Sequence, residues 1–416
     1  MISRESLWFR LILAAICGWV VIFIARYATA PGVAGDFQAF YAGATADAHG
    51  VNPYDWIALR QIEQALYHGG IGLAHNFIQS PIPPPLPLLM RPLLSMDVRA
   101  AYRVWMCVLL LASFTGIYLG LANWPRPRRI LAGLAIAISP AALVNLWLGQ
   151  LGPFLLLSLG LALFLLKQEQ PFLAGLALVV GLAKPHLMIP IAVITIMAIP
   201  SQTRPKVLGG LVSGALATVI LTAVTHGGAG PYSQWVSGIR EQAVNIRQQP
   251  DIASIPGLYF KAAPASVEQI LNVLCLMAAA IVGLQLVIMA RDQRVGSRFR
   301  LLGCGIATFM TATPYVHSSD QIVLALPLLL LIGPHGEGLT YKSVWLALAA
   351  FLLEPAIIME NFNWEGFSLL PSLFLAIACS RVDLSRYAIP SRVGNTADLA
   401  VVPKRREHGN SAPGAS

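Results

Sequence analysis

The string VRAAYRVWMCVLLLASFTGIYLGL, residues 98–121, is followed almost at once by NWPRPRR, residues 123–129. The first is an apolar run long enough to cross a hydrocarbon core as a helix, which takes about 20 residues at about 1.5 Å each. The second is a basic loop of the kind that stays on the cytoplasmic side of a membrane. Placing 123–129 inside fixes the side of every later loop.

Runs like the first recur along nearly the whole chain. With 416 residues, 56% of them hydrophobic and 11% charged, and a mean hydropathy of +0.67, the composition lies far from that of a soluble domain. Transmembrane strands would alternate apolar and polar residues, and these runs do not. The fold class expected is an all-α polytopic membrane protein. The net charge of +9 falls in short clusters between apolar runs, so it reports loop orientation and not a nucleic-acid-binding face. Membrane lipids are expected partners; nucleic acid is not. Cys17, Cys107, Cys275, Cys304 and Cys379 lie inside apolar runs without metal-ligand spacing and read as packing residues.

Arg4 and Arg10 precede an apolar stretch and the small residues Ala28-Thr29-Ala30, a pattern that imitates a secretory signal. Pro31 at the junction argues against cleavage, and 7–28 reads as a first membrane helix starting inside. Residues 31–80 then form an extracytoplasmic loop, with interfacial amphipathic helices expected at 36–48 and 55–67 around a turn at Gly50-Val51-Asn52-Pro53. The proline-rich piece 82–96 is too short to cross comfortably and is expected to be re-entrant or packed against neighbours. Further crossings are expected at 98–121, 130–146, 151–166, 171–183, 185–199, 207–225, 268–290, 299–313, 321–332, 341–358 and 367–380. That makes about twelve, with both termini inside and a second extracytoplasmic loop at 226–267. Residues 1–390 read as one transmembrane domain and 391–416 as a disordered cytoplasmic tail.

This topology, set by basic loops alone, gathers Asp36, Gln150, Lys184, His186, His317 and Asp320 on the outer side. Ionisable groups beside membrane helices are costly and point to function. Each also has a bland role: Asp36 or Asp55 as a cap or turn residue, Gln150 as a partner for bundle backbone, Lys184 snorkelling to the interface, His317 and Asp320 paired with one another. Together, a carboxylate and nearby cations suit displacement of an anionic leaving group: the carboxylate takes the proton of an attacking hydroxyl, and the cations stabilise the departing phosphate. No Gly-rich phosphate loop, zinc signature or Ser-His pattern is present. No cofactor or metal is expected. With no soluble domain to hold a nucleotide sugar, the donor is expected to be lipid-linked.

Several motifs follow one another in a set order: Gly35-Asp36-Phe37-Gln38-Ala39-Phe40-Tyr41, Gly50-Val51-Asn52-Pro53-Tyr54-Asp55, the proline-rich stretch before Leu86, and Trp147-Leu148-Gly149-Gln150. Ala174-Gly175 leading to Lys184-Pro185, and Thr313-Pro314-Tyr315 leading to Asp320, complete the series. From Asp36 to about Leu330 the chain resembles glycosyltransferase family 87, GT-C integral-membrane enzymes whose better-known members transfer mannose from polyprenyl-phosphate-mannose. The resemblance implies a GT-C-like bundle of about twelve transmembrane helices and Asp36 as the catalytic base of an inverting transfer. It implies Lys184 and His317 as partners of the donor phosphate, and the need to offset charge on that phosphate adds Arg247 of the second outer loop. Tyr41, Tyr54, Asp55, Gln150, His186 and Asp320 are then substrate-binding or supporting residues. The chain departs from the family pattern at Gln79-Ser80-Pro81, where Tyr-Pro-Pro often stands, and at Ile252, where an Asn often stands.

The expected function is that of a hexosyltransferase in the plasma (inner) membrane. It would move a sugar, mannose by the resemblance, from a polyprenyl-phosphate carrier to a hydroxyl of a lipid or glycan on the extracytoplasmic face. A transporter or flippase of a polyprenyl-linked sugar is the alternative. Such a protein would show paired broken helices in two related halves with charges at mid-membrane, whereas here the charges lie at helix ends. A non-catalytic assembly subunit is a third reading.

Overall fold

The computed structural model describes residues 35–67, 82–246, 295–313, 316–332 and Phe351. The expected helices at 7–28, 268–290 and 367–380, the one at 341–358 apart from Phe351, the 247–267 stretch with Arg247, Cys17, Cys275, Cys379 and the tail from 391 lie outside these residues. The chain divides into two units, Met1–Ser380 and Arg381–Ser416, and every described residue belongs to the first. Among the described residues every regular element is a helix and none is a strand.

α1 (Gly35–Ala48) and α2 (Trp56–Leu66) fall where two interfacial helices are expected. Gly50, with φ +71, supplies the left-handed residue that ends the first. Asp55 starts the second, its carboxylate accepting the N–H groups of Ile57 and Ala58. Only α2 keeps an amphipathic character, with Leu59 buried and Ile57 75% exposed. α1 does not lie on a surface: residues 37–44 are all buried. Its Ala39, Ala42, Gly43 and Ala44 are small enough for neighbours to approach on every side, so no face is left to water.

The piece at 82–96 folds as a short helix, α3 (Pro85–Met90), continued by a 3-10 helix (Arg91–Ser95), and packs against α1. α4 (Val98–Gly120) follows, N-capped by Asp97. The crossing expected at 130–146 is broken: α5 (Arg126–Ala137) and α6 (Pro140–Leu148) meet at 52°. Pro140 has no N–H to give and Ser139 Oγ accepts from Ala142 instead, which starts a new helix. α7 (Gly152–Lys167), α8 (Pro171–Val179), a 3-10 turn (Val180–Ala183), α9 (Pro185–Ala198), α10 (Arg204–Thr225) and α11 (Gly230–Ile246) complete this stretch. After the gap come α12 (Val295–Ala312), a 3-10 helix (Ser318–Leu324) and α13 (Ala325–Ile332). Among the described residues α4 and α10 are each long and apolar enough to cross a membrane, and the bent pair α5–α6 makes a third if it is one span.

Two close crossings hold the bundle. A Cβ on Gly160 of α7 would overlap the Gly116 carbonyl of α4, and a Cβ on Gly210 of α10 would overlap the Phe172 carbonyl of α8. Small residues at such crossings let helix backbones meet where lipid removes the hydrophobic drive to associate. Gly160→Ala is therefore expected to cost about 1–3 kcal/mol through overpacking. An unchanged thermal midpoint in detergent would show that α4 and α7 do not cross there. Around the N-terminal half of α4, Phe37, Phe40, Leu86, Met90, Trp105 and Leu151 form one apolar cluster, with Ala183 packed against it.

Candidate active site

The site begins at a turn. Gly149, in the left-handed region at φ +74, closes α6, and the Gln150 N–H reaches back to the Asn145 carbonyl at 2.9 Å. The turn is held from α4, where Tyr102 donates to the Trp147 carbonyl at 2.6 Å and Trp105 to the Gly149 carbonyl at 2.9 Å. Its other side lies on α1: a Cβ on Gly149 would stand 2.6 Å from the Cβ of Phe37. Phe37 is itself fully buried, its ring 5.2 Å from that of Tyr102. With both walls fixed, Gln150 Nε2 donates to Asp36 Oδ2 at 2.7 Å. Asp36, in the first turn of α1, is half-buried.

A second ion-bearing unit stands beside this turn. Lys184 sits between the 3-10 turn Val180–Ala183 and α9, and its Nζ donates to Asp320 Oδ1 at 2.6 Å; both side chains are buried. Asp320 Oδ2 accepts the backbone N–H of His317 at 3.1 Å. His317 and the exposed His186 lie within electrostatic reach of the pair. Asn145 of α6 joins the two units, donating to the Ser319 carbonyl at 2.6 Å. The expected cluster is thus brought together as two contacts, Asp36 with Gln150 and Lys184 with Asp320. Asp320 pairs through its side chain with Lys184 and not only with His317, and Lys184 does not snorkel to an interface.

Tyr41, Tyr54 and Asp55 have structural work. Tyr41 donates to the Met96 carbonyl at 3.1 Å, Tyr54 to the Ile82 carbonyl at 2.8 Å, and Asp55 caps α2. Burial, with Asp47 nearby, pushes the Tyr54 phenol far above its ordinary range, so it holds its proton. Among the described residues no three of His, Cys, Asp or Glu stand together as a metal site.

Two features escape the sequence reading. Asp47 accepts from Arg91 at 3.0 Å and from His226 at 2.5 Å, tying the end of α1 to the 3-10 helix Arg91–Ser95 and to the end of α10. And buried polar atoms without a hydrogen-bond partner gather around the α6–α7 turn: Asn145 Oδ1, Gln150 Oε1, Ser319 Oγ and both amide atoms of Gln321. Such atoms cost roughly 1–3 kcal/mol each when left unmade. An Asn inside the apolar run ALVNLWLGQ was the sequence signal for them.

Residues 83–314 match the family model of glycosyltransferase family 87. The chain belongs to that family. No curated protein matches it. As a member of family 87 it is a membrane glycosyltransferase, with a sugar donor and an acceptor. The matched span holds Gln150, Lys184, His186 and Arg247, while Asp36 and Asp320 lie outside it. The two contacts just described join those carboxylates to residues of the matched segment.

Gln150 fixes Asp36 without adding charge, and Gln150→Glu tests that. A second carboxylate beside Asp36 favours the protonated acid, so with Asp36 as the base proposed below, the acid limb of the transfer rate is expected to move to higher pH. A profile that falls in height without moving would separate Gln150 from Asp36.

Proposed function

We propose that the protein transfers a hexose, mannose by family resemblance, from a polyprenyl-phosphate-sugar to a hydroxyl of a lipid or glycan on the extracytoplasmic face of the plasma membrane. The observation that carries this reading is the Asp36–Gln150 contact, a carboxylate held half-open at the rim of a buried polar junction. Asp36 takes the proton of the acceptor hydroxyl as that oxygen attacks the anomeric carbon. The bond from that carbon to the phosphate oxygen breaks, and configuration inverts. The products are the glycosylated acceptor, polyprenyl phosphate and protonated Asp36.

The leaving phosphate gathers charge that must be offset. Lys184 has three N–H donors, of which Asp320 takes one and offsets the charge. His317 and Arg247 then carry a larger part of the task. The unpartnered atoms of Gln150 and Gln321 suit sugar hydroxyls, which donate and accept. The domain of residues 1–390 is one transmembrane body in this reading, with 391–416 a cytoplasmic tail.

The test is transfer by purified protein in sealed vesicles, given radiolabelled polyprenyl-phosphate-mannose and a membrane lipid extract as acceptor. Labelled lipid or glycan, formed by protein whose outer loop faces the donor, is the expected result. Carrier crossing the vesicle without labelled product would instead favour the flippase.

A further inference from the structure

At the end of α1 remote from Asp36 lies an open groove of about 470 Å³. Asn52 and Asp55 of the α1–α2 turn, with Trp56 at the start of α2, form one wall, and Ser233, Gln234 and Ser237 of α11 the other. The walls touch at Gly238, where a Cβ would stand 3.1 Å from Trp56 Cζ2, so the helix backbone rests against the indole edge. The turn is rigid. Asn52 Oδ1 accepts the Tyr54 N–H at 2.9 Å, and Asp55 Oδ1 accepts from Ile57 at 3.0 Å and Ala58 at 3.2 Å. These bonds leave the Asn52 amide N–H groups as donors and the second Asp55 oxygen as an acceptor.

The chemistry of the lining narrows the ligand. No lysine or arginine lines the groove and one carboxylate does, so it does not suit a phosphate or another anion. An indole offers a flat apolar face, while amides, hydroxyls and a carboxylate offer donors and acceptors in several directions. A neutral sugar ring has that same duality, with C–H groups on its faces and hydroxyls around its edge. We propose that the groove is a carbohydrate subsite that holds a remote sugar unit of the acceptor.

Its position sets a length. Between Asp36 and Ala48 the helix rises roughly 18 Å, at about 1.5 Å per residue. One sugar does not bridge that distance, so the acceptor is an oligosaccharide or a lipid carrying several sugars. This deepens the transferase reading and rests on it for the word acceptor; the binding itself does not.

The experiment is calorimetric titration of the full-length protein in lipid nanodiscs, without donor. The probes are α-linked mannotetraose, maltotetraose and cellotetraose, with free mannose as control. Expected is binding of at least one tetrasaccharide and not of mannose, weakened at least tenfold by Gln234→Ala and by Ser237→Phe, which fills the groove. Both positions are exposed on α11, so both variants keep the fold. Binding of none of the tetrasaccharides, or equal binding by wild type and both variants, overturns the proposal. Wild-type protein that binds a tetrasaccharide in this titration but forms no labelled product in the vesicle assay would uphold the groove and remove the proposed polyprenyl-phosphate-mannose transfer.

Discussion

Asp36→Asn is expected to slow sugar transfer by on the order of 10² to 10⁴, the usual worth of a positioned general base, with little change in thermal midpoint. The two halves of that expectation have separate causes. An asparagine side-chain oxygen still accepts from Gln150 Nε2, which stands 2.7 Å from Asp36 Oδ2, so the α1 and α6–α7 contact survives. What is lost is the capacity to take a proton. Asp36→Ala removes the proton acceptor and the partner of Gln150 together, leaving a nearly buried amide whose Oε1 is already unpartnered. It should therefore lose both rate and stability, the latter by roughly 1–3 kcal/mol. Initial rates with radiolabelled donor, at matched thermal midpoints, check both. Full transfer by Asp36→Asn would keep the enzyme and assign its base elsewhere.

Much of the helical arrangement was legible in the chain, because apolar run length reports helices without any long-range information. That Asp36, Gln150, Lys184 and Asp320 would be neighbours was expected from placing their loops together, but which of them pairs with which was not. What was not legible has a physical pattern. The burial of α1 depends on small residues that allow approach from all directions, and alanine and glycine carry no directional signal. The bend at Ser139-Pro140 was written in the sequence, but an unbroken apolar run masked it. The Asp47–Arg91–His226 contact joins residues as much as 179 apart, and nothing local to any of the three announces it. Likewise the pairing of Lys184 with Asp320, 136 residues away, decides how much charge Lys184 has left for a phosphate.

That last point is open to experiment. Lys184→Met removes one member of a buried ion pair and leaves Asp320, which has no solvent exposure, as an uncompensated charge. Loss of about 3–5 kcal/mol is expected from breaking such a pair from one side. Removing the second charge should return most of it, and the choice of second substitution matters. Asp320→Leu would strand the His317 backbone N–H, which Asp320 Oδ2 accepts at 3.1 Å, at a cost of about 1–3 kcal/mol. Asp320→Asn keeps an acceptor for that N–H and carries no charge. Lys184→Met combined with Asp320→Asn is thus expected to unfold near the wild-type temperature in detergent, while Lys184→Met alone unfolds well below it. Once the fold is restored, the transfer rate reports on the phosphate alone. If the ammonium offsets charge on the leaving group, the double variant stays slower by on the order of 10² to 10³, whereas a double variant with wild-type rate would confine Lys184 to holding α9 against the 3-10 helix Ser318–Leu324.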